Sequence, residues 1–327
     1  MTQTGKGIEI PLIPQNAIGP KVPPSGYLVE EIADGVHWVT DGAYQCAFVV
    51  CENEVIAIDA PPSLGGLVTR AIRDVTSKPI THVIYTHSHG DHIGTVDQFP
   101  DGAVRIAQQE THAILRECAD PARRIPDVTF KDSYRIQVGG QTVEMHYKGS
   151  NHAPGNSFVY LPRQRILMLV DVIYPGWVPF TNIAQSKNIG GFMAHHDHAL
   201  SFDFDVMITG HLTRLGTRLD VETQREYMRD IRGAAQHALE ITPEKRILAR
   251  DTVGMDHIYL YFKTMYEAAA AEAAKPVIRK WSGRLAGVET LGVNHTLTMY
   301  HSLRLDENVK PQVVFFPPTD GTSDHHH

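Results

Sequence analysis

The sequence predicts an α/β fold in four layers, two mixed β-sheets face to face between helices, with a C-terminal helical extension. Three observations carry this prediction. Short apolar runs bounded by Gly, Pro, Asn or Asp recur from Leu28 to Val170, as strands do. Helical periodicity interrupts them after Ser63 and again over Gln109–Glu117. Past residue 211 the strand signals stop, and long apolar stripes at helical spacing replace them.

Residues 1–26 contain Pro11, Pro14, Pro20, Pro23 and Pro24 and read as an extended Pro-rich arm. Strands follow over Leu28–Ile32, Val36–Thr40, Ala47–Cys51 and Val55–Ile58, the last ended by Asp59. A helix starting near Ser63 places Leu64, Leu67, Val68, Ala71, Ile72 and Val75 on one face. Next come a strand over Ile80–Thr86, a His-rich loop, a strand near Val104–Ala107 and the Gln109–Glu117 helix. Strands then dominate from Arg135 to Val170. Such a succession buries its apolar faces best as two sheets covered by helices. Beyond residue 211, Asp220 is a candidate N-cap for a helix with Tyr227, Met228, Ile231, Ala235 and Leu239 on its apolar stripe. A second helix spans Asp256–Ala274 before Pro276 stops it, and a third includes Leu291–Leu303. The expected boundaries are an arm over 1–26, a main domain over 27–243, a helical extension over 244–324, and a tag remnant over 325–327. The extension could cap the pocket or build a homodimer, and the sequence does not choose.

Composition limits the function classes. A chain of 327 residues with 42% hydrophobic content can bury a large core. The formal net charge of -7 offers no broad footprint for nucleic acid, so a small-molecule substrate is expected. Asp171 and Pro175 interrupt the most apolar stretch, so no membrane partner is expected. The first 15 residues lack the charged start and apolar core of a signal peptide, so a cytoplasmic location is expected unless a signal has been trimmed. Cys46, Cys51 and Cys118 make an odd number outside zinc-ligand spacing and read as buried packing residues. Cys46 and Cys51, five apart in one strand, point to opposite faces.

The chemistry is concentrated in Thr86-His87-Ser88-His89-Gly90-Asp91-His92. Imidazole nitrogens and carboxylate oxygens are good ligands for zinc and related divalent ions. Alternation puts His87 and His89 on one side of a strand end, and a tight turn at Gly90 would let Asp91 and His92 face the same hollow. One loop could thus supply two ligands to each of two metals. Further candidate ligands lie just past other strand-like runs: His152 in a turn-forming loop, Asp171 after Ile166–Val170, and His211 after Val206–Gly210.

In this order the residues resemble the metallo-β-lactamase superfamily, whose pattern runs His-x-His-x-Asp-His, then His, Asp and His. The resemblance covers roughly residues 27–243 and implies the αββα fold. It implies that His87, His89 and His152 hold one zinc, that Asp91, His92 and His211 hold a second, and that Asp171 bridges them. Iron or manganese would accept the same ligands. Such a centre implies hydrolysis by a metal-bridging hydroxide, with Asp91 among the catalytic groups and no covalent intermediate. An aspartate at position 171, where true β-lactamases carry cysteine or serine, is similar to the lactonase, glyoxalase II and phosphodiesterase branches. Tyr174, three residues on, matches a tyrosine that quorum-quenching lactonases place beside their metals. The reading is therefore a dinuclear zinc hydrolase of lactones or carboxylic esters, with Tyr174 as a hydrogen-bond donor. Alternatives are a β-lactam, amide or thioester hydrolase and, more distantly, an iron-dependent oxygenase. The di-iron relatives replace His89 by glutamate, which argues against the last.

Around this centre, Trp177 and Phe180 on the loop after Tyr174 are candidate pocket walls, with burial elsewhere as the alternative. Arg214 is placed to hold a substrate carboxylate, or to form a surface ion pair. Asp59 is expected to orient the metal loop through hydrogen bonds. His195-His196-Asp197-His198 lies on a helix that points its members apart, which suits a supporting rather than a separate catalytic role. The basic group Lys275, Arg279, Lys280 and Arg284 reads as a solvated face or a subsite for an anionic tail.

Overall fold

Strand after strand of this chain is apolar on both faces, and the fold covers both. The structure, a computed structural model, describes residues 2–5 and 8–307, with side chains from residue 11 onward. The sequence-expected tag at 325–327 lies outside the described residues. Two short strands, β1 (Thr2–Gly5) and β2 (Ile8–Pro11), pair antiparallel at the start. A seven-stranded sheet then runs in sequence order through β3 (Leu28–Ala33), β4 (Val36–Thr40), β5 (Gln45–Val50), β6 (Val55–Ile58), β7 (Ile80–Ile84), β8 (Val104–Gln108) and β9 (Val128–Phe130). It is antiparallel as far as β6 and parallel from β6 to β9. A five-stranded sheet holds β10 (Ser133–Val138), β11 (Gln141–His146), β12 (Phe158–Leu161), β13 (Ile166–Met168) and β14 (Val206–Ile208), with only the β13–β14 pair parallel.

Alternation along each strand divides its residues between two cores. In β6, Val55 and Ala57 join a cluster with Val68, Ala71, Ile72 and Leu115, from helices α1 (Leu67–Val75) and α3 (Gln109–Cys118) and their flanks. Ile56 and Ile58 point the other way, into a cluster with Met145, Val159 and Met168 of the second sheet. Cys46 and Cys51 divide likewise, one in each cluster, and both are free thiols. Between α1 and α3 lies the four-residue helix α2 (Gly90–Ile93). The short turn α4 (Thr181–Gln185) precedes α5 (Ile189–Leu200), which covers the outer face of the second sheet, where His195 stacks on Phe158 at 5.5 Å. The layers are therefore helix, sheet, sheet, helix, as expected.

The chain continues into α6 (Arg218–Val253), α7 (Ile258–Trp281) and α8 (Val288–Leu305). Two compact units emerge: Met1–Arg229 with Ile278–Leu291, and Asp230–Val277 with the residues from Gly292 on. The expected boundary at 243/244 falls inside α6, as does the observed one. Within the second unit, Ala249, Tyr261 and Met265 form a small core. Arg232 there makes a two-pronged pair with Glu307, and Lys245 pairs with Glu272 at 2.6 Å. No helix of the described residues is long and apolar enough to cross a membrane.

Four local expectations are corrected. Helix α1 starts at Leu67 rather than Ser63, because the Leu64 and Gly65 amides turn back onto the Pro61 carbonyl. Thr217, not Asp220, caps α6: the Asp220 amide donates to Thr217 Oγ1 while Asp220 Oδ2 accepts from the Thr217 amide, a reciprocal capping box. Pro276 lies inside α7, which continues to Trp281, a fully buried ring set edge-on to Tyr227 at 5.7 Å. Cys118 is exposed rather than buried, at the last turn of α3.

Candidate metal centre

All of the candidate ligands expected from the sequence come together at one edge of the first unit, on the loops and the short helix α2 that follow strands. His87, His89, His152 and Asp171 form one cluster of potential ligand atoms, and Asp91, His92 and His211 form the next. Asp171 joins them. Its Oδ2 lies 3.1 Å from His92 Nε2, 3.1 Å from His152 Nε2 and 3.5 Å from His87 Nε2, while its Oδ1 lies 2.9 Å from His211 Nε2. Asp91 Oδ2 stands 3.6 Å from His92 Nε2 and 3.7 Å from His211 Nε2.

This arrangement fits a cation better than it fits a hydrogen-bond network. His152 Nε2 faces His89 Nδ1 at 2.9 Å, and His92 Nε2 faces His211 Nε2 at 3.0 Å. Only one proton can lie between each such pair, whereas a divalent ion satisfies both lone pairs. His87 Nε2 is buried and has no hydrogen-bond partner. Burial pushes the His87 imidazolium far below its ordinary range and that of His89 down to about 4, so both are neutral, the ligand form. At His92 burial works against charge, but Asp171 and Asp91 outweigh it and raise the group to about 9. Burial likewise opposes charge on Asp171, and the facing His92 and His152 hold it well below the carboxylate range regardless. A divalent ion bound by these ligands would take the place of the proton shared by His92 and Asp171.

The supporting groups are buried and specific. Asp59 accepts from the Thr86 amide at 2.9 Å and from Thr86 Oγ1 at 2.7 Å, and Thr86 Oγ1 in turn meets His87 Nδ1 at 3.1 Å. Burial raises Asp59 to about 6. This is the orienting role expected of it. Gly90 does not form the expected tight turn. It opens α2 with ordinary helical geometry, and this short helical turn brings Asp91 and His92 round to the site. Arg123 braces the same loop by donating to the Ser88 carbonyl at 2.8 Å. At the other wall, Gly210 precedes His211 with φ +83°, and a Cβ there would stand 2.5 Å from Val170 Cγ1 and 3.1 Å from His92 Cε1. Only glycine allows this approach.

Several positioning residues carried no motif in the sequence. Gln45, fully buried, donates through Nε2 to the carbonyls of His211, Leu212 and Arg214, fixing the His211 loop. Asn151 Oδ1 accepts from the His152 amide at 2.6 Å and from Asn156 Nδ2 at 2.9 Å, and Asn156 also donates to the Val170 carbonyl. Gln224, on α6, accepts from the Tyr174 amide at 2.8 Å and donates to the Val172 carbonyl, bracketing the segment after Asp171. Its Nε2 also meets His196 Nε2 at 2.9 Å. His196 is thus a positioning residue acting through Gln224, in keeping with the supporting role expected for its cluster.

A cavity of about 690 Å³ opens over the candidate ligands. Tyr174, Trp177 and Phe180 line it as expected, joined by Tyr44, Leu212 and Leu291. Tyr44 was not anticipated. Its ring lies 4.5 Å from that of His211, and its hydroxyl points at Asp91 Oδ2, 3.4 Å away. The wall at Ala184 and Gln185 belongs to a left-handed turn: Asn182, Ile183, Ala184 and Gln185 have φ between 52° and 56°. Each non-glycine residue held this way costs about 1–2 kcal/mol. The Pro-rich arm braces the opposite wall, since Ala17 O accepts from Trp177 Nε1 at 3.1 Å and from Thr213 Oγ1 at 2.6 Å. Arg214 is corrected. It lies outside the lining, gripping Asp220 with both guanidinium nitrogens at 2.6 and 3.0 Å and donating to Asn16 O. The ion pair forms because Asp220, six residues on in the first turn of α6, faces the guanidinium. Of the basic group at 275–284, Lys280 pairs with Glu226 at 2.7 Å and Arg284 stacks on Trp281 at 4.2 Å.

Comparison with known proteins agrees with this geometry. The profile of the Metallo-beta-lactamase superfamily matches residues 40–211, more than half of the chain. The chain is 28% identical over 194 residues to the 2,4-dinitroanisole O-demethylase subunit alpha of Nocardioides sp. (strain JS1661), covering 58% of each chain. It is 27% identical over 122 residues to the Metallo-beta-lactamase type 2 of Bacteroides fragilis, covering 36% of this chain and 48% of that one. The chain thus spans about half the length of the curated relatives it matches. Among solved structures, metallo-beta-lactamase IND-7 superposes with a TM-score of 0.52 at 18% identity, covering 61% of this chain and 96% of that one. By fold, by motif order and by the span of the matching profile, this chain belongs to the metallo-beta-lactamase superfamily.

Proposed function

We propose that the protein is a metal-dependent hydrolase that binds two divalent ions, zinc by preference, and hydrolyses a lactone or carboxylic ester. The observation that carries this is the gathering of five imidazoles and two carboxylates, with Asp171 in contact with four of the imidazoles, beneath a largely apolar cavity. His87, His89 and His152 would hold one ion, Asp91, His92 and His211 the other, with Asp171 shared. When bound, such a pair supplies Lewis acidity and lowers the pKa of a water from 15.7 to about 7. The remaining steps belong to the protein. Asp91, whose carboxylate is 45% exposed at the cavity floor, accepts a proton from the attacking water. Tyr174 is a donor: burial and the nearby Asp171 push its phenol well above its ordinary range, so it keeps its proton. Its hydroxyl donates to the substrate carbonyl or the departing oxygen. The apolar walls exclude water and hold the acyl or ring portion.

A second reading, hydrolysis of an aryl ether, draws support from the likeness to the dinitroanisole demethylase subunit together with the aromatic lining. One experiment tests both. The protein is loaded with zinc, iron or manganese, its metal content is measured, and lactones, esters, thioesters, β-lactams and aryl methyl ethers are screened. Fewer than one ion per chain in active protein would refute the dinuclear centre. Turnover confined to β-lactams or thioesters would refute the ester and lactone assignment.

A further inference from the structure

The cavity over the candidate metal centre is unusual in what it lacks. Among the described residues that line it there is neither lysine nor arginine, and the charged side chains are the candidate ligands themselves. Its walls are Tyr44, Tyr174, Trp177, Phe180, Leu212 and Leu291, an assembly of aromatic faces and aliphatic side chains. The nearest arginines in sequence to His211 are committed elsewhere. Arg214 holds Asp220, and Arg218 donates to the carbonyls of Leu200 and Phe202. A substrate anion remote from the scissile bond would therefore lose its water without meeting a counter-charge, and desolvating an unpaired charge is expensive. An aromatic ring, in contrast, finds ring faces and apolar surface.

We infer, on the basis of the hydrolase reading, that this pocket takes an electrically neutral, aryl-bearing substrate and rejects one of the same shape with an anionic group at the end remote from the reacting bond. The selection is made by the walls rather than by the metal ligands. It sets this site apart from one built to grip a carboxylate or sulfate tail, which needs a fixed guanidinium or ammonium.

Matched pairs test it on the metal-loaded protein. Phenyl acetate and 4-acetoxybenzenesulfonate are compared as substrates, the sulfonate being a poor metal ligand. Acetanilide and 4-acetamidobenzenesulfonate, their slowly hydrolysed isosteres, are compared in binding by calorimetry. The neutral ester should exceed the sulfonate by about 100-fold in kcat/KM, which corresponds to about 2.7 kcal/mol. The neutral amide should bind at least about 10-fold more tightly than its sulfonate. Thr290→Lys, at an exposed position of the lining, should narrow the ester ratio by about tenfold by supplying the missing cation. Equal binding of the two amides, or a preference for the sulfonate, overturns the inference. If no ester or lactone is hydrolysed while acetanilide still outbinds its sulfonate, the ester and lactone reading fails and the inference about the pocket stands.

Discussion

Gln224 offers the sharpest test of how the candidate centre is held. It is 1% exposed, and its amide makes three contacts: Oε1 accepts from the Tyr174 amide at 2.8 Å, and Nε2 reaches the Val172 carbonyl and, at 2.9 Å, His196 Nε2. Gln224→Leu keeps similar bulk and removes every one of these contacts. The Tyr174 N–H, the Val172 carbonyl and the His196 nitrogen are then stranded in the interior. A buried polar group left unpaired costs about 1–3 kcal/mol, so three at the low end give about 3 kcal/mol. For a domain of this size that is a fall of roughly 6–12 °C in Tm, at about 2–4 °C per kcal/mol. Asp171 immediately precedes Val172, so the loosened segment should also weaken metal affinity by about tenfold or more, as lost supporting contacts do. Urea unfolding of the metal-loaded protein and a competition titration with a chelator read the two effects separately. A stability loss under about 1 kcal/mol with unchanged metal affinity would refute the claim that α6 braces the segment after Asp171.

Three further outcomes are expected. Burial holds His195 and His196 down to about 4 in the folded protein, against 6.5 ordinarily. The unfolded chain therefore takes up protons below pH 6.5 while the fold resists until about 4, and stability present above pH 6.5 is lost as the pH falls. Between pH 7 and 5 each group contributes a loss of about 2 kcal/mol, so His195→Phe, which keeps the stack on Phe158, should flatten the acid limb by about that much in urea midpoints. Tyr174→Phe should lower kcat by at most roughly 100–1000-fold, the worth of one well-placed donor, with metal content unchanged; parent-like turnover would show that the ring only packs. Gly176→Ala should detach the N-terminal arm, because Gly176 has φ +78° and a Cβ there would lie 2.5 Å from Ala17 Cα. Trp177 fluorescence and Tm report this, and an unshifted spectrum would deny the arm its bracing role.

The candidate ligands were legible from the sequence because metal chemistry restricts donor types, and their order past successive strand ends marks them. The sandwich was legible too, since β6 and its neighbours are apolar on both faces and must be covered twice. The groups that hold the ligands were not. Gln45 and His211 are 166 residues apart, and Gln224 and Val172 are 52 apart, so no local pattern announces their contacts. Arg214 shows the reverse limit. Its charge and its closeness to His211 suggested a substrate grip, but only the folded chain brings Asp220 and the Asn16 carbonyl to claim it. The end of α7 was misread for the same reason, because Trp281 is buried against Tyr227 and the helix runs through Pro276 to place it. What the sequence determined by itself is which atoms are offered to a metal and which strands must be covered, since both follow from residue type and spacing. What tertiary structure alone decided is which polar groups are already spoken for, and hence that the described residues lining the pocket include aromatic and aliphatic side chains but neither lysine nor arginine, because hydrogen bonds between distant segments are settled only by their meeting in space.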